Sequence, residues 1–479
     1  MNRIPVMTLF LVIFLEGYAV LSAELLAIRL IIPFTGSGTD TISIIIAAVL
    51  MPLAFGYYYG GRFTQKHRHG KRAFTVRKKL LLNLTVAIAV LTIGLSYSFL
   101  HWGADTLYLY TGMSNRIWLT TLYALLFLVY PVYLLGQTVP LISNYFGRTR
   151  MPRIAGRVLF YSTIGSFMGS IFCTLVLMTY LGVHHAVSIT LFCLVLAVIL
   201  LSKRKLNIFS AGATLCFLLS LLINSDYAMS RRDIVANNKY HMVQITDYDH
   251  DNSRWMKIND NMSSALYKDR DEPYFNYAKY LHSHFIEPLQ WSPVKKEILV
   301  IGAGGFTIGR HDKRNSYVFL DLDADLLAIS EEQFLEEKLG ANKQFIAEPA
   351  RAYLYNNDRK FDLIILDVFR GQTSTPEHLV TREFFQQVKN HLKAGGVMVG
   401  NYMLSANFSD EFTVNLDNTM RSVFYNLNRQ VIAPYNGWAT DAKWVNVIYS
   451  YHHNPDASRA VYTDNLNSSH FDKPATLRE

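Results

Sequence analysis

Only four carboxylates, Glu16, Glu24, Asp40 and Asp105, occur before residue 225, and the other 33 of the 37 acidic residues follow it. Apolar runs fill the acid-poor part, at 4–32, 42–60, 80–100, 117–145, 158–181, 185–201 and 207–223. A spanning helix needs about 20 such residues. Residues 1–224 therefore read as an α-helical polytopic membrane domain of about seven helices, and no cleavable signal peptide is expected.

Charge divides the chain at the same place. Eighteen Lys and Arg face four acids before residue 225, and 28 face 33 after it, giving +14 and −5. A nucleic-acid-binding protein concentrates its positive charge on the folded soluble domain, so nucleic acid is not an expected partner. The basic residues also alternate along the apolar half. Eight lie between Arg62 and Lys79, four are Arg148, Arg150, Arg153 and Arg157, and three are Lys203, Arg204 and Lys205, whereas the intervening loops carry only Arg116. The positive-inside rule puts the N-terminus and these loops in the cytoplasm. Seven crossings would then leave the C-terminal half outside. The expected location is the plasma (inner) membrane.

Within the first apolar run, Glu16, Glu24 and Arg29 each cost about 2.5 to 3.5 kcal/mol at mid-bilayer unless paired or hydrated. Glu16 and Glu24 share a helix face and suit a path for a cation, while a Glu24–Arg29 pair locking helix packing is the plainer reading. Gly165 and Gly169 form a GxxxG that favours close helix packing. Cys173, Cys193 and Cys216 lie in apolar segments and match neither a disulfide nor a zinc pattern. His67, His69, His184 and His185 lack partner acids in the sequence, so no metal is expected.

The rest divides into a linker with an N-terminal β-hairpin region (225–292), an α/β Rossmann-like domain (293–455) and a C-terminal tail (456–479). Residues 240–267 alternate apolar and polar side chains, as hairpin strands do, and 273–289 reads as a helix. Glu297-Ile-Leu-Val-Ile-Gly302 is the continuous apolar run of a buried parallel strand. It leads into Gly302-Ala-Gly304-Gly305. The next strand, Tyr317-Val-Phe-Leu-Asp321-Leu-Asp323, ends in carboxylates about 20 residues on. Glycines let the backbone approach a ligand and a strand-end acid accepts ribose hydroxyls, which makes Gly302, Gly304, Gly305, Asp321 and Asp323 candidate nucleoside-binding residues. Glu348 and Asp367 follow two further strands, at 344–347 and 361–366, and a helix at about 381–393 precedes a strand at 397–401.

These motifs, with Pro376-Glu-His378-Leu-Val-Thr381-Arg-Glu-Phe384 in the soluble half and Glu24, Arg29 and Gly147 to Gly169 in the apolar half, resemble the membrane-fused polyamine aminopropyltransferase (spermidine synthase) family. The resemblance implies a class I methyltransferase-like fold and a transferase that moves an aminopropyl group from decarboxylated S-adenosylmethionine to a small amine such as putrescine. It implies that Asp321 holds the ribose and that Asp367 is the catalytic residue beside the reacting amine. It implies a small amine as partner and allows a homodimer, while the apolar runs imply a lipid bilayer; because an adenosyl donor is made in the cytosol, the chemistry favours the cytoplasmic side for the C-terminal half, against the seven crossings.

The chain also departs from the family pattern. Gly305 stands where the family carries an Asp, Asp367-Val-Phe-Arg370 replaces Asp-x-x-Asp, and Glu348-Pro349-Ala350 replaces Gly-Asp-Ala. Tyr240-His241 and Tyr274-Phe275-Asn276 replace Tyr-Gln and Tyr-His-Glu. Tyr240, His241, Tyr274, Tyr277 and Arg370 are accordingly the candidate substrate contacts. The pattern implies a retained adenosyl pocket with a changed second substrate. Two alternatives follow: a methyltransferase or sulfonium-cleaving enzyme that uses intact S-adenosylmethionine, with Arg370 pairing its carboxylate, and a transporter or sensor with a nucleoside-binding domain.

Overall fold

The computed structural model describes residues 5–36, 38–63, 66–68, 71–111, 115–144, 151–202, 207–259, 261–369, 375–432 and 444–455. Arg370, His69, Arg148, Arg150, Lys203, Arg204, Lys205 and the 456–479 tail lie outside the described residues.

The apolar half is a bundle built around α1 (Val6–Thr35), whose middle is buried. Small residues set its closest approach. A Cβ on Gly165 would lie 2.2 Å from the Phe14 carbonyl oxygen, and one on Gly169 would lie 2.3 Å from that of Tyr18. These contacts advance in step with Phe10 stacked on Tyr161, so the Met151–Phe172 helix runs parallel to α1 in the contact that the GxxxG spacing predicts. Five helices among the described residues are long and apolar enough to cross a membrane, or six if a bent pair is one span. That pair differs from expectation: the third apolar run breaks into Val76–Gly94 and Tyr97–Leu107, bent by 64°. The last run, Ile208–Ile223, has only 16 residues. Asn207 starts that helix by accepting from the amides of Phe209 and Ser210, a side-chain cap that satisfies otherwise orphaned donors.

A two-stranded ribbon, β1 (Lys66–Arg68) and β2 (Lys71–Phe74), interrupts the apolar half. After the Asp226–Ser230 helix, β3 (Ile234–Asn237), β4 (Met242–Tyr248), β5 (Ser253–Ile258) and β6 (Asn261–Tyr267) form a four-stranded antiparallel sheet. The α/β part follows, with β7 (Glu297–Ile301), β8 (Ser316–Asp321), β9 (Lys343–Ala347), β10 (Phe361–Leu366), β11 (Leu392–Leu404), β12 (Leu427–Ile432) and β13 (Val445–His452) in the order β12-β13-β11-β10-β7-β8-β9.

The central strands are parallel, and β13 joins β11 antiparallel, so the sheet is mixed. Alternate residues feed two cores. Leu299, Ile301, Val318, Leu320, Ile364 and Leu366 pack on one face, while Ile298, Val300, Tyr317, Phe319, Leu363 and Ile365 pack on the other. Burial on both faces is why these strands read as unbroken apolar runs.

Candidate functional site

A cavity of about 390 Å³ opens where the carboxyl ends of β7, β8 and β10 meet the antiparallel sheet. Crevices at such strand ends are where open α/β sheets bind ligands, and the volume suits a small molecule.

The glycine loop forms one wall. Gly302 has φ +96°, and a Cβ there would lie 2.2 Å from the Asp367 carbonyl oxygen, so only glycine lets β7 and β10 end side by side. Gly304 has φ +50° and lies under the hydroxyls of Ser263 and Ser264. Gly305 donates its amide to Ser264 Oγ at 2.9 Å. A Cβ on it would meet the Phe334 ring at 2.4 Å, which gives a steric reason why no acid stands at this position. Gly302 and Gly304 line the cavity; Gly305 packs behind it.

Asp321 ends β8 facing the cavity, where its carboxylate accepts from the amides of Ala303 (3.2 Å) and Leu322 (2.7 Å). Asp367 follows β10. Its backbone amide donates to Ile301 at 2.9 Å. Its side chain accepts from Asn401 Nδ2 at 2.9 Å and from Tyr277 Oη at 3.4 Å, and Asn446 in turn donates to Asn401 at 2.9 Å. Burial away from water pushes the Asp367 carboxyl up to about 6, and the two hydrogen bonds oppose this. Burial beside this carboxylate also raises the Tyr277 phenol well above its ordinary value.

The structure sorts the remaining candidates. His241 and Tyr277 line the cavity. Asp323 does not. It is 1% exposed and turns inward to accept from Asn238 Nδ2 at 2.9 Å and to meet His241 Nδ1 at 3.2 Å. Tyr240 is 42% exposed outside the cavity. Tyr274 is buried with its hydroxyl donating to Asp251 at 2.6 Å, and Glu348 lies past the end of β9, outside the lining. Sequence reasoning missed Asn401, Asn446, Ser263 and Ser264. Asn401 carried a signal, as a polar residue at the end of an apolar strand; the others become neighbours only through sheet pairing.

Two readings of the apolar half also change. No Glu24–Arg29 ion pair exists among the described residues; Arg29 Nε instead donates to the Asn238 carbonyl at 2.7 Å. His184 and His185 do meet an acid, Asp226 Oδ1, at 2.9 and 3.4 Å. That partner lies about 40 residues away in sequence, which is why local inspection found none.

The mixed sheet, the glycine loop and the strand-end carboxylates define a Rossmann-like α/β domain with its ligand cavity at the carboxyl ends of the strands. Residues 280–439 match the Spermine/spermidine synthase domain. The chain is 26% identical to the polyamine aminopropyltransferase of Vibrio vulnificus over 44% of its own length and 71% of that protein's. It is 30% identical to polyamine aminopropyltransferase 2 of Pseudomonas aeruginosa and to that of Hyperthermus butylicus, but spans only 40% and 50% of those proteins. A probable spermidine synthase of Corynebacterium glutamicum superimposes with a TM-score of 0.38 at 21% identity, over 45% of this chain and 77% of that one. These relatives indicate a transferase of the aminopropyltransferase type in the C-terminal half.

Proposed function

We propose that this chain is a multi-pass membrane transferase that moves an aminopropyl group from decarboxylated S-adenosylmethionine to a small amine, releasing methylthioadenosine. The observation that carries this reading is the buried Asp367 carboxylate, held by Tyr277 and Asn401 in the same cavity that Asp321 and the glycine loop line. Asp321 and the Gly302 to Gly304 backbone suit the ribose and adenosyl side of the donor. The acceptor nitrogen uses its lone pair to form a bond to the donor carbon beside the sulfonium. The carbon–sulfur bond breaks with its electrons going to sulfur, and the amine proton passes to Asp367.

One observation favours a second reading. Asp321 and Asp367 are the only carboxylates among the described residues lining the cavity, so a diamine's distal ammonium finds no dedicated acid there. Cleavage of the sulfonium without an external amine is the competing reading. Mass spectrometry after incubating purified protein with the decarboxylated or the intact donor, each with and without putrescine, separates these. Methylthioadenosine together with an aminopropylated amine is expected. Methylthioadenosine alone would establish cleavage, S-adenosylhomocysteine would establish methylation, and no turnover of either donor would return the chain to binding or transport.

For the location, we propose a bundle that crosses the inner membrane seven times with the soluble domain outside. The start of Val76–Gly94 meets the end of Gly182–Leu201, through Arg77 donating to the Leu201 carbonyl; this is the end of the bundle that bears the basic loops. The soluble half meets the opposite end, where Arg29 bonds Asn238 and Arg232 donates to the Ser98 carbonyl at 3.2 Å. Positive loops on the cytoplasmic face then favour an external domain, and the donor reaches it only after export. Alkaline phosphatase fused after residue 455 is expected to be active in cells; an inactive phosphatase with a fluorescent cytoplasmic reporter at the same point would place the domain inside.

A further inference from the structure

Arg29 sits near the C-terminal end of α1 and is 5% exposed. Burying a guanidinium is costly unless hydrogen bonds and a counter-charge compensate it. Its Nε donates to the Asn238 carbonyl at 2.7 Å, 209 positions along the chain, and the Asp323 carboxylate is close enough to act on it electrostatically.

Asn238 occupies the turn between β3 and β4, and its side chain is used on every side. Nδ2 donates to both Asp323 oxygens at 3.0 and 2.9 Å and to Asp325 Oδ2 at 2.9 Å. Oδ1 accepts from the amides of Tyr240 and His241, each at 2.9 Å. The His241 ring, fixed by Asp323 at 3.2 Å, forms part of the cavity wall. Two residues before Asp323 on the same chain is Asp321, which faces that cavity. A continuous set of hydrogen bonds therefore runs from the apolar bundle to the cavity wall.

We propose that Arg29 is a positioning residue for the cavity. By holding the Asn238 turn, the first apolar helix sets where His241 stands and where the Asp321 to Asp323 segment is anchored. The helical half is then part of the binding site rather than a passive anchor. This rests on the reading of the cavity as the donor site. The side chain acts through Asn238, which does not itself line the cavity, so its loss is expected to weaken ligand binding more than the chemical step.

The test uses the full chain in detergent, as wild type, Arg29→Gln and Arg29→Lys. Methylthioadenosine binding is measured by calorimetry, and amide hydrogen exchange is followed over 237–242. Arg29→Gln is expected to speed exchange of this turn and to weaken methylthioadenosine binding about tenfold, with KM for the donor rising more than kcat falls. Arg29→Lys, which keeps a donor and a charge, is expected to recover part of both. Unchanged exchange in Arg29→Gln overturns the proposal. So does faster exchange with unchanged affinity, or a general loss of thermal stability that lysine does not rescue. If the wild type itself does not bind methylthioadenosine, the donor-site reading fails, while the exchange comparison, which needs no ligand, still decides whether Arg29 holds the turn.

Discussion

Asp367→Asn is expected to lower the rate of methylthioadenosine formation by a factor on the order of 10² to 10⁴, the usual range for a positioned proton acceptor, while donor affinity changes little. Asparagine keeps the size of the side chain and can still accept from Asn401, so the cavity keeps its shape. The substitution removes only the capacity to take the amine proton. Because burial raises this carboxyl to about 6, log kcat/KM of the wild type is expected to fall with unit slope below that pH and to level off above it; in Asp367→Asn this limb disappears. The same shift makes a stability prediction of opposite sign. The folded carboxyl holds its proton to higher pH than the ordinary value of 3.8. Its contribution to stability is therefore fully present below pH 3.8 and is lost as pH rises toward 6. At pH 7 the loss amounts to roughly 2 to 3 kcal/mol, and Asp367→Asn recovers much of it. Unchanged turnover together with an unchanged pH profile would remove Asp367 from the mechanism.

Gly302→Ala is expected to have the largest effect on folding. The added methyl would stand 2.2 Å from the Asp367 carbonyl oxygen, and the residue sits at φ +96°, where side chains other than glycine's hydrogen are strained. The strain costs about 1 to 3 kcal/mol, and the clash with backbone adds to it, because neither strand end can move without breaking the Asp367 to Ile301 hydrogen bond. A total of roughly 3 kcal/mol or more corresponds to a fall in Tm of about 6 to 12 °C for a domain of this size. Thermal unfolding of the purified chain measures it, with methylthioadenosine affinity as the second readout, since the displaced loop belongs to the cavity wall. A variant that melts with the wild type would show that the β7 and β10 ends are not held together as described.

The sequence by itself determined the division into an acid-poor apolar half and an acid-rich α/β half. It also determined the order glycine loop, strand-end acid, second strand-end acid, and the family that this order resembles. These are local features: a run of apolar residues is buried wherever the chain goes, and a glycine between a strand and a loop has few other uses. Tertiary structure alone decided which candidates share one cavity. Asp321 and Asp323 are two residues apart on one strand end, yet one faces the cavity and the other turns inward to Asn238. Tyr274 and Tyr277 are three apart, and only the second reaches Asp367, because the first is held by Asp251. Asn401 and Asn446 meet through the antiparallel pairing of β11 and β13, and Arg29 finds Asn238 rather than Glu24. Residue pattern specifies how deeply a side chain is buried, but the partner of a buried polar group is set by chain segments far away in sequence. Those partners are known only once the sheet has chosen its strand order and the helical half has docked against it.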